Sequence, residues 1–270
     1  APWRRRGLLM EERREILDFA GEIALDAGAI LLKGFRSSGL VVTYKGVSNP
    51  VTSTDRESED FLFARIRGRF PDHGVIAEEG SRVKGAGDYL WYLDPLDGTT
   101  NFAHGVEHFS VSIGVYSQRE RRPVAGVVYD PCRRELFSAL AHGGAFLNGE
   151  GIRVSATEDL SRSLIATGFP YDKNLSYENN LAQLGRILPR VQCVRRFGSA
   201  ALDLCYVAAG RFDAYWEMKV SPWDIAAGCL IAEEAGARVT RFDGSPYDIE
   251  VPEVLAASSG LHGRLLELLA

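Results

Sequence analysis

The 270-residue sequence is poor in cysteine, with four residues and no pair in a C-x-x-C arrangement. Their spacing matches no zinc-binding pattern and requires no oxidising compartment. Two of them, Cys205 and Cys229, lie in apolar stretches, where cysteine behaves as a small buried hydrophobic residue. The cysteine content therefore predicts neither a zinc centre nor a disulfide scaffold.

Long apolar runs and concentrated positive charge are also missing. No apolar run reaches about 18 residues, so the sequence predicts no membrane-spanning helix. A charged stretch at residues 10–18 follows the basic N-terminus; this is not typical of a signal peptide, and we expect a cytoplasmic protein. The net charge is −5 and no basic stripe is interleaved with aromatic residues, which argues against nucleic-acid binding.

Several well-known phosphate and metal motifs are absent. No glycine-rich loop ends in Gly-Lys-Ser/Thr, and no Asp-x-Asp pair follows an early strand. The aspartate spacing does not form a calcium-binding loop, and the scattered histidines do not suggest zinc. The chemistry must therefore come from another set of residues.

Hydrophobic periodicity predicts two helices near the N-terminus. Apolar residues recur at spacings of three and four over residues 11–35, which is typical of one helical stripe. A second helix is predicted over residues 54–70, with Thr54 and Glu57 as a capping box. Pro71 should end it, because proline disfavours helical geometry in the preceding residue.

The remaining pattern indicates an α/β protein in two parts. Closely spaced strands rich in β-branched and aromatic residues occur over residues 89–139 and predict an antiparallel stretch. After about residue 150, short strands and helices alternate. We expect an α+β part at residues 1–150 that carries most metal ligands, and an α/β part at residues 151–270.

The segment DPLDGTTN at residues 94–101 is the sharpest chemical signal. It follows an apolar strand, so the carboxylates of Asp94 and Asp97 can converge on one cation at the strand end. Gly98 permits unusual backbone angles, and the amides after it can form a concave nest for phosphate oxygens. Such hard oxygen ligands suit magnesium, manganese or calcium. An ordinary turn rich in Asp and Gly is the alternative interpretation.

Other carboxylates accumulate in loops or at the ends of elements. Asp55 lies at the start of the second helix, Glu78 and Glu79 follow a short strand, and Asp224 opens an apolar helix. Asp55 and Asp224 could simply cap helices, and the glutamate pair could be solvated. These four carboxylates could lie close to the two aspartates of DPLDGTTN. Divalent cations would then be needed before a phosphate monoester could bind, because the negative charges would otherwise repel it.

Glu217 is a candidate for substrate recognition. It follows Tyr215 and Trp216 at the end of a predicted strand, so its side chain could face a cleft and hydrogen-bond hydroxyl groups of a ligand. The alternative is an ion pair on the surface with Lys219.

Five blocks, in order, resemble the inositol monophosphatase family, and the resemblance covers residues 11–268. The blocks are NPVTSTD at 49–55, the glutamate pair at 78–79, WYLDPLDGTTNF at 91–102, GSAA at 198–201 and WDIAAG at 223–228. The resemblance implies a layered αβαβα sandwich, shared with fructose-1,6-bisphosphatase, and a homodimer. It also implies magnesium as the cofactor, with two or three ions per active site or manganese in its place, and inhibition by lithium.

Site roles follow from this resemblance. The implied metal ligands are Glu78, Asp94, the backbone carbonyl of Leu96, Asp97 and Asp224. Asp55 and Glu79 would lie behind these ligands or bind a third metal.

The resemblance also implies how water and substrate are held. Thr99, paired with Asp55, would orient and help deprotonate the attacking water, with Glu78 as the third catalytic residue. The amides of Gly98 and Thr99 would contact phosphate. The polyol ring would contact Ser199, Ala200 and Glu217.

The implied activity is magnesium-dependent hydrolysis of a phosphate monoester by in-line attack of a metal-activated water, with myo-inositol 1-phosphate as the expected substrate. Ser221 and Pro222 replace a histidine and a cysteine of the animal enzymes, and Ala77 replaces a glycine, which puts the substrate in doubt. The alternatives are fructose 1,6-bisphosphate, histidinol phosphate or a nucleotide as substrate. An alternative of another class is a regulatory, protein-binding member of the family.

Overall fold

The computed structural model describes residues 2–45 and 49–270. Helices α1 to α7 cover Pro2–Gly34, Ser53–Arg69, Thr99–Ala103, Leu181–Ile187, Ala200–Ala208, Pro222–Glu234 and Ser259–Leu269. Strands β1 to β15 cover Val42–Lys45, Asn49–Thr52, Gly74–Ala77, Arg82–Val83, Tyr89–Asp97, Ser110–Ser117, Arg122–Asp130, Glu135–Leu140, Gly144–Leu147, Glu150–Gly151, Leu164–Thr167, Cys193–Arg195, Ala214–Met218, Arg238–Thr240 and Glu253–Ala257. Within the described residues, no helix has the length and apolar character needed to cross a membrane.

Two large sheets organise the chain. The first has the strand order β10-β9-β8-β7-β6-β5-β3-β4, and its neighbours are antiparallel except for the parallel pair β3 and β5. The second has the order β12-β11-β13-β15-β14, with β11 parallel to both of its neighbours. Strands β1 and β2 form a separate antiparallel pair. The antiparallel stretch predicted over residues 89–139 is therefore confirmed.

Helices cover both faces of the eight-stranded sheet. Gly28 of α1 lies against the ring of Tyr129 on β7, where a β-carbon would overlap that ring. Three residues earlier on β7, Gly126 faces α6, and a β-carbon there would lie 3.0 Å from Cα of Ala227. Residues an odd number apart point to opposite faces of a strand, so α1 and α6 lie on opposite sides of the sheet.

The same alternation separates the two faces of the five-stranded sheet. Tyr215 and Ala256 belong to the large core that includes α5 and α6, whereas Trp216 and Leu255 belong to a second core with Leu261 of α7. The order of layers is thus helices α1 and α2, a sheet, helices α5 and α6, a sheet, and helices α4 and α7. The predicted α/β class and layered αβαβα sandwich are confirmed.

Two helix starts differ from expectation. Helix α1 begins at Pro2 rather than at residue 11. The capping box of α2 consists of Thr52 and Asp55, so the predicted box of Thr54 and Glu57 is wrong. The backbone amide of Thr52 donates to Oδ2 of Asp55 over 2.8 Å, and the amide of Asp55 donates to the Thr52 hydroxyl over 3.3 Å. This pairing orients the Asp55 side chain at the helix start.

The large hydrophobic core contains residues from both sides of residue 150. It includes Ile16 of α1 and Ile113 of β6 together with Leu230 of α6. The division of the chain near residue 150 stays a prediction.

Candidate active site

The Asp-Pro-Leu-Asp segment belongs to β5, which continues past Asp94 to Asp97. In a regular strand these two aspartates, three residues apart, would point to opposite faces. The pairing of β5 with β6 changes register between them, and an irregularity of this kind re-aims side chains. Both aspartates line one cavity and are buried, 2% and 8% exposed.

Glu78 reaches the same cavity from the neighbouring strand. It directly follows β3, which runs parallel to β5, so the carboxyl ends of both strands meet at one edge of the sheet. The Glu78 amide donates to the Leu93 carbonyl over 3.1 Å, and its carboxyl hydrogen-bonds Asp94. Buried Glu59 accepts from the amides of Glu79 and Ser81 at 2.6 and 2.7 Å and thereby holds the turn after Glu78.

Asp224 enters from the second half of the chain. It lies in the first turn of α6, after Pro222, and its Oδ2 accepts from the Ser221 amide over 2.7 Å. The capping interpretation of Asp224 is therefore correct, and the same side chain also lines the cavity. Because α6 packs on the eight-stranded sheet, the start of this helix comes to the end of β5.

Burial dominates the electrostatics of this cluster. It raises the pKa of Glu78 to about 7 and that of Asp97 to about 6. The pKa values of Asp94 and Asp224 rise well above the ordinary value, through burial first and the neighbouring carboxylates second. These groups resist carrying full negative charge together, so a cation is the natural complement of the cluster.

The donor set fits a hard divalent cation, although no three described Asp, Glu, His or Cys side chains are already arranged as a closed cage. One oxygen of each aspartate is bound by protein: Asp94 accepts from the Leu96 amide at 3.0 Å and Asp97 from the Ala201 amide at 2.8 Å. A closed cage is not required for Mg²⁺, which keeps several waters and uses few carboxylates. Because all of these donors are oxygens, the cluster favours a hard divalent cation.

Thr99 and Asp55 lie beside these aspartates. The Thr99 hydroxyl is 3.0 Å from Oδ1 of Asp55 and 2.9 Å from the Leu96 carbonyl oxygen. Burial raises the pKa of Asp55 to about 6, while hydrogen bonds from Thr52 oppose that rise. Gly98, at the start of α3, has φ of 93°, and a β-carbon there would lie 3.0 Å from the His108 carbonyl. The predicted phosphate contacts of Gly98 and Thr99 stay predictions.

The opposite wall of the cavity is formed by β13 and α5. Glu217 lies on β13, lines the cavity and accepts a hydrogen bond from the Tyr215 hydroxyl. Burial raises the pKa of Glu217 to about 7. Lys219 pairs with Asp172 over 2.7 Å, so the alternative of a Glu217–Lys219 surface pair is not observed.

Ser199 and Ala200 are placed at the start of α5. Both line the cavity, but the Ser199 hydroxyl donates to Oδ2 of Asp97 over 2.5 Å. The structure therefore gives Ser199 a role in holding Asp97 that the sequence did not reveal. Its predicted contact with a polyol ring stays a prediction, as does that of Ala200.

Some residues of the cavity were missed in the sequence analysis. The cavity has a volume of about 300 Å³, and those residues include Lys45, Gly168, Arg196 and Asp203. The Lys45 ammonium lies 2.6 Å from Glu79 and 3.7 Å from Glu78, so it contributes positive charge at the edge of the cluster. Asp203 had a visible signal, since it is a lone charge in the otherwise apolar sequence of α5. Lys45, Gly168 and Arg196 show no comparable signal in the sequence.

Comparison with known proteins agrees with this fold. The model of the inositol monophosphatase family matches residues 12–270. The chain is 41% identical over 255 residues to an inositol-1-monophosphatase of Synechocystis sp., covering 94% of this chain and 88% of that protein. It is 40% identical over 257 residues to the Nus factor SuhB of Pseudomonas aeruginosa, covering 93% and 94%. The inositol monophosphatase structure from Anabaena superposes with a TM-score of 0.85 at 42% identity, covering 95% of each chain.

Fold, site and family model together define a phosphatase of the layered α/β type. The chain belongs to the inositol monophosphatase family.

Proposed function

We propose that this protein hydrolyses a small polyol phosphate, myo-inositol 1-phosphate, to inositol and phosphate, with Mg²⁺ as its cofactor. The observation that carries the proposal is the convergence of Glu78, Asp94, Asp97 and Asp224 on one cavity. With these carboxylates ionised and without cations, the cavity would repel a phosphate monoester, which carries close to two negative charges at neutral pH. A metal-dependent phosphatase is the class of enzyme that this arrangement serves.

Glu78, Asp94, Asp97, Asp224 and the Leu96 carbonyl would hold the metal. When bound, Mg²⁺ supplies a lowered pKa for water and positive charge for the phosphate oxygens and the leaving alkoxide. The hydrogen bonds from Ser199 and Ala201 fix one oxygen of Asp97 and leave the other for a ligand. Side chains held in this way need little reorganisation when a ligand binds.

Thr99 is suited to position the attacking water. Its single hydroxyl proton goes to Asp55 or to the Leu96 carbonyl, so the Thr99 oxygen is left to accept a hydrogen bond from water. Asp55 is held in turn by the Thr52 amide. A positioned acceptor of this kind would orient water for in-line attack on phosphorus, and the proton of that water would be relayed as Thr99 passes its own hydroxyl proton to the carboxylate of Asp55.

The polyol end of the substrate would lie toward β13 and α5. Glu217 faces this part of the cavity, and Ala200 provides a short side chain beside it. A cavity of about 300 Å³ matches a small ligand rather than a macromolecule. The predicted homodimer and the predicted inhibition by lithium are parts of this proposal.

A panel of esters tests the substrate. Phosphate release would be measured from D- and L-myo-inositol 1-phosphate, fructose 1,6-bisphosphate, histidinol phosphate and a 3′-nucleotide, all with Mg²⁺. We expect the highest kcat/KM for an inositol phosphate. Preference for another ester would keep the metal chemistry and reassign the polyol end of the cavity.

A second candidate function is supported by one comparison. The P. aeruginosa relative that matches 93% of this chain bears the name Nus factor. This chain could therefore bind a protein partner in addition to acting on an ester. Capture of one stoichiometric partner by the folded protein, together with no turnover of any ester in the panel, would favour this function over the first.

A further inference from the structure

Asp203 lines the cavity and has one buried carboxyl oxygen, Oδ1, without a hydrogen-bond partner among the described residues. Its side chain is 1% exposed and lies in the first turn of α5. Buried polar atoms of folded proteins almost always have a partner, so this exception indicates a group that the cavity receives from outside.

The surroundings of Asp203 define what that group can be. Asp203 and Glu217 both line the cavity, and burial first, then the neighbouring charges of Glu217 and Asp97, raises the pKa of Asp203. A second anionic group on the ligand would meet repulsion from the carboxyl groups of Asp203 and Glu217, which the neighbouring Arg196 would offset in part. Hydroxyl groups both donate and accept hydrogen bonds and carry no charge, so they match a pair of carboxyl groups.

The position of Asp203 on α5 places it close to the carboxylate cluster. The Asp203 amide donates to the Ser199 carbonyl over 2.9 Å, so Asp203 lies one helical turn after the cap residue. The Ser199 hydroxyl at that cap holds Asp97 of the carboxylate cluster. Residues four apart lie on the same face of a helix, so the face of α5 that holds Asp97 also carries Asp203, which lines the cavity together with Glu217.

We propose that Asp203 is a specificity-determining residue that hydrogen-bonds a hydroxyl group of the polyol part of the substrate, beside the hydroxyl that Glu217 binds. The inference rests on the proposed function. Sites built to hydrogen-bond a hydroxyl discriminate strongly against analogues that lack it, because the buried partner is then left unpaired. Asp203 thus selects polyol esters over esters with an apolar ring.

The test compares two esters of six-membered rings, myo-inositol 1-phosphate and cyclohexyl phosphate, in Mg²⁺. The ratio of their kcat/KM values is measured for the wild type, Asp203→Leu and Asp203→Asn. We expect Asp203→Leu to lower the ratio at least ~10-fold, mainly through KM for the inositol ester, since one buried hydrogen bond is lost. Asp203→Asn keeps hydrogen-bonding atoms and should stay within about threefold of the wild type.

Asp130→Asn is the matched control. Asp130 is a fully buried aspartate bound by Arg133 at 2.9 Å and does not line the cavity. Its substitution tests whether any buried aspartate changes the ratio. If Asp203→Leu does not fold, as judged by circular dichroism, Asp203→Ala removes the same carboxyl and gives the same readout.

The two hypotheses fail in different ways. A wild type that binds both esters but hydrolyses neither contradicts the proposed function. Calorimetry then tests the role of Asp203, because Asp203→Leu should bind myo-inositol 1-phosphate about tenfold more weakly than the wild type. An unchanged kcat/KM ratio in Asp203→Leu, an equal fall in Asp130→Asn, or a wild type that binds no inositol phosphate overturns the role of Asp203.

Discussion

The hydroxyl of Thr99 lies 3.0 Å from Oδ1 of Asp55, and this hydrogen bond joins the start of α3 to the start of α2. Asp55 is 1% exposed and receives the Thr52 amide on its other oxygen. The pair is therefore fixed from both sides. Under the proposed function, its position beside the carboxylate cluster makes it the group that orients water.

Thr99→Val should abolish most turnover. Valine preserves the branched shape but removes the oxygen that accepts from water, so we expect kcat to fall about 100-fold or more with little change in KM. Thr99→Ser keeps the oxygen and should retain much of the wild-type rate. Steady-state kinetics on myo-inositol 1-phosphate provides the measurement. Equal activity of Thr99→Val and the wild type would remove Thr99 from the mechanism.

Asp97→Asn should lose activity while keeping the fold. The change is isosteric and preserves an acceptor for the Ser199 hydroxyl and the Ala201 amide, but it removes a metal-binding charge. We expect kcat/KM to fall at least ~100-fold and Mg²⁺ binding to weaken. Circular dichroism checks the fold, calorimetry the binding, and Asp130→Asn is the control outside the cavity. Turnover close to that of the wild type would be incompatible with Asp97 as a ligand.

Gly168→Ala should impair recognition of polyols. A β-carbon on Gly168 would overlap the carboxylate of Glu217, so that side chain would have to move away from its present position. Loss of one hydrogen bond to a ligand hydroxyl should raise KM for the inositol ester about tenfold. Gly185→Ala in α4 is the control, because a β-carbon there meets no atom within 4 Å. Equal KM values for the two variants would show that Gly168 does not position Glu217.

The stability of the metal-free protein should decline as pH rises above 6.5. Burial raises the pKa of Glu78 to about 7 and places those of Asp94 and Asp224 well above their ordinary value. The folded chain then holds more protons than the unfolded chain, so the free energy of unfolding falls with increasing pH, by on the order of 2 kcal/mol between pH 6.5 and 8.5. Burial lowers the pKa values of His108 and His262 to about 4. These two histidines make the free energy of unfolding increase with pH, but only below about pH 6.5.

Urea unfolding with EDTA and with Mg²⁺ measures this effect. Mg²⁺ binds the deprotonated carboxylates, so the decline should largely disappear when the metal is present. A metal-free protein that gains stability over the same pH interval would contradict the account of the cluster.

Local patterns carried much of the fold prediction. The alternation of short strands and helices predicted after about residue 150 is present, for example in β11 at Leu164–Thr167 and α5 at Ala200–Ala208. Apolar periodicity, together with Gly and Pro at the ends of segments, identifies short helices and strands because these signals depend on only a few neighbouring residues. The capping box of α2 was missed by two residues, since Thr52 and Thr54 are both acceptable caps and only the backbone geometry separates them.

The site was predicted unevenly for a related reason. Asp94 and Asp97 stand in one short motif, whereas Ser199 meets Asp97 only through the tertiary fold, across about 100 residues of sequence. Lys45, Gly168 and Arg196 reach the cavity through tertiary packing and leave no local signal. Asp203 shows the intermediate case, because a lone acid in an apolar helix is visible in the sequence while its unpaired oxygen is not.

The central claim is that the carboxylate cluster is a catalytic metal site. Its most direct test measures phosphate release from myo-inositol 1-phosphate by metal-depleted protein as Mg²⁺ is added back. We expect no turnover in EDTA, a rise that saturates with Mg²⁺, and a titration shifted to higher Mg²⁺ in Asp97→Asn. Turnover that persists undiminished in EDTA would contradict the assignment of the carboxylate cluster as a catalytic metal site.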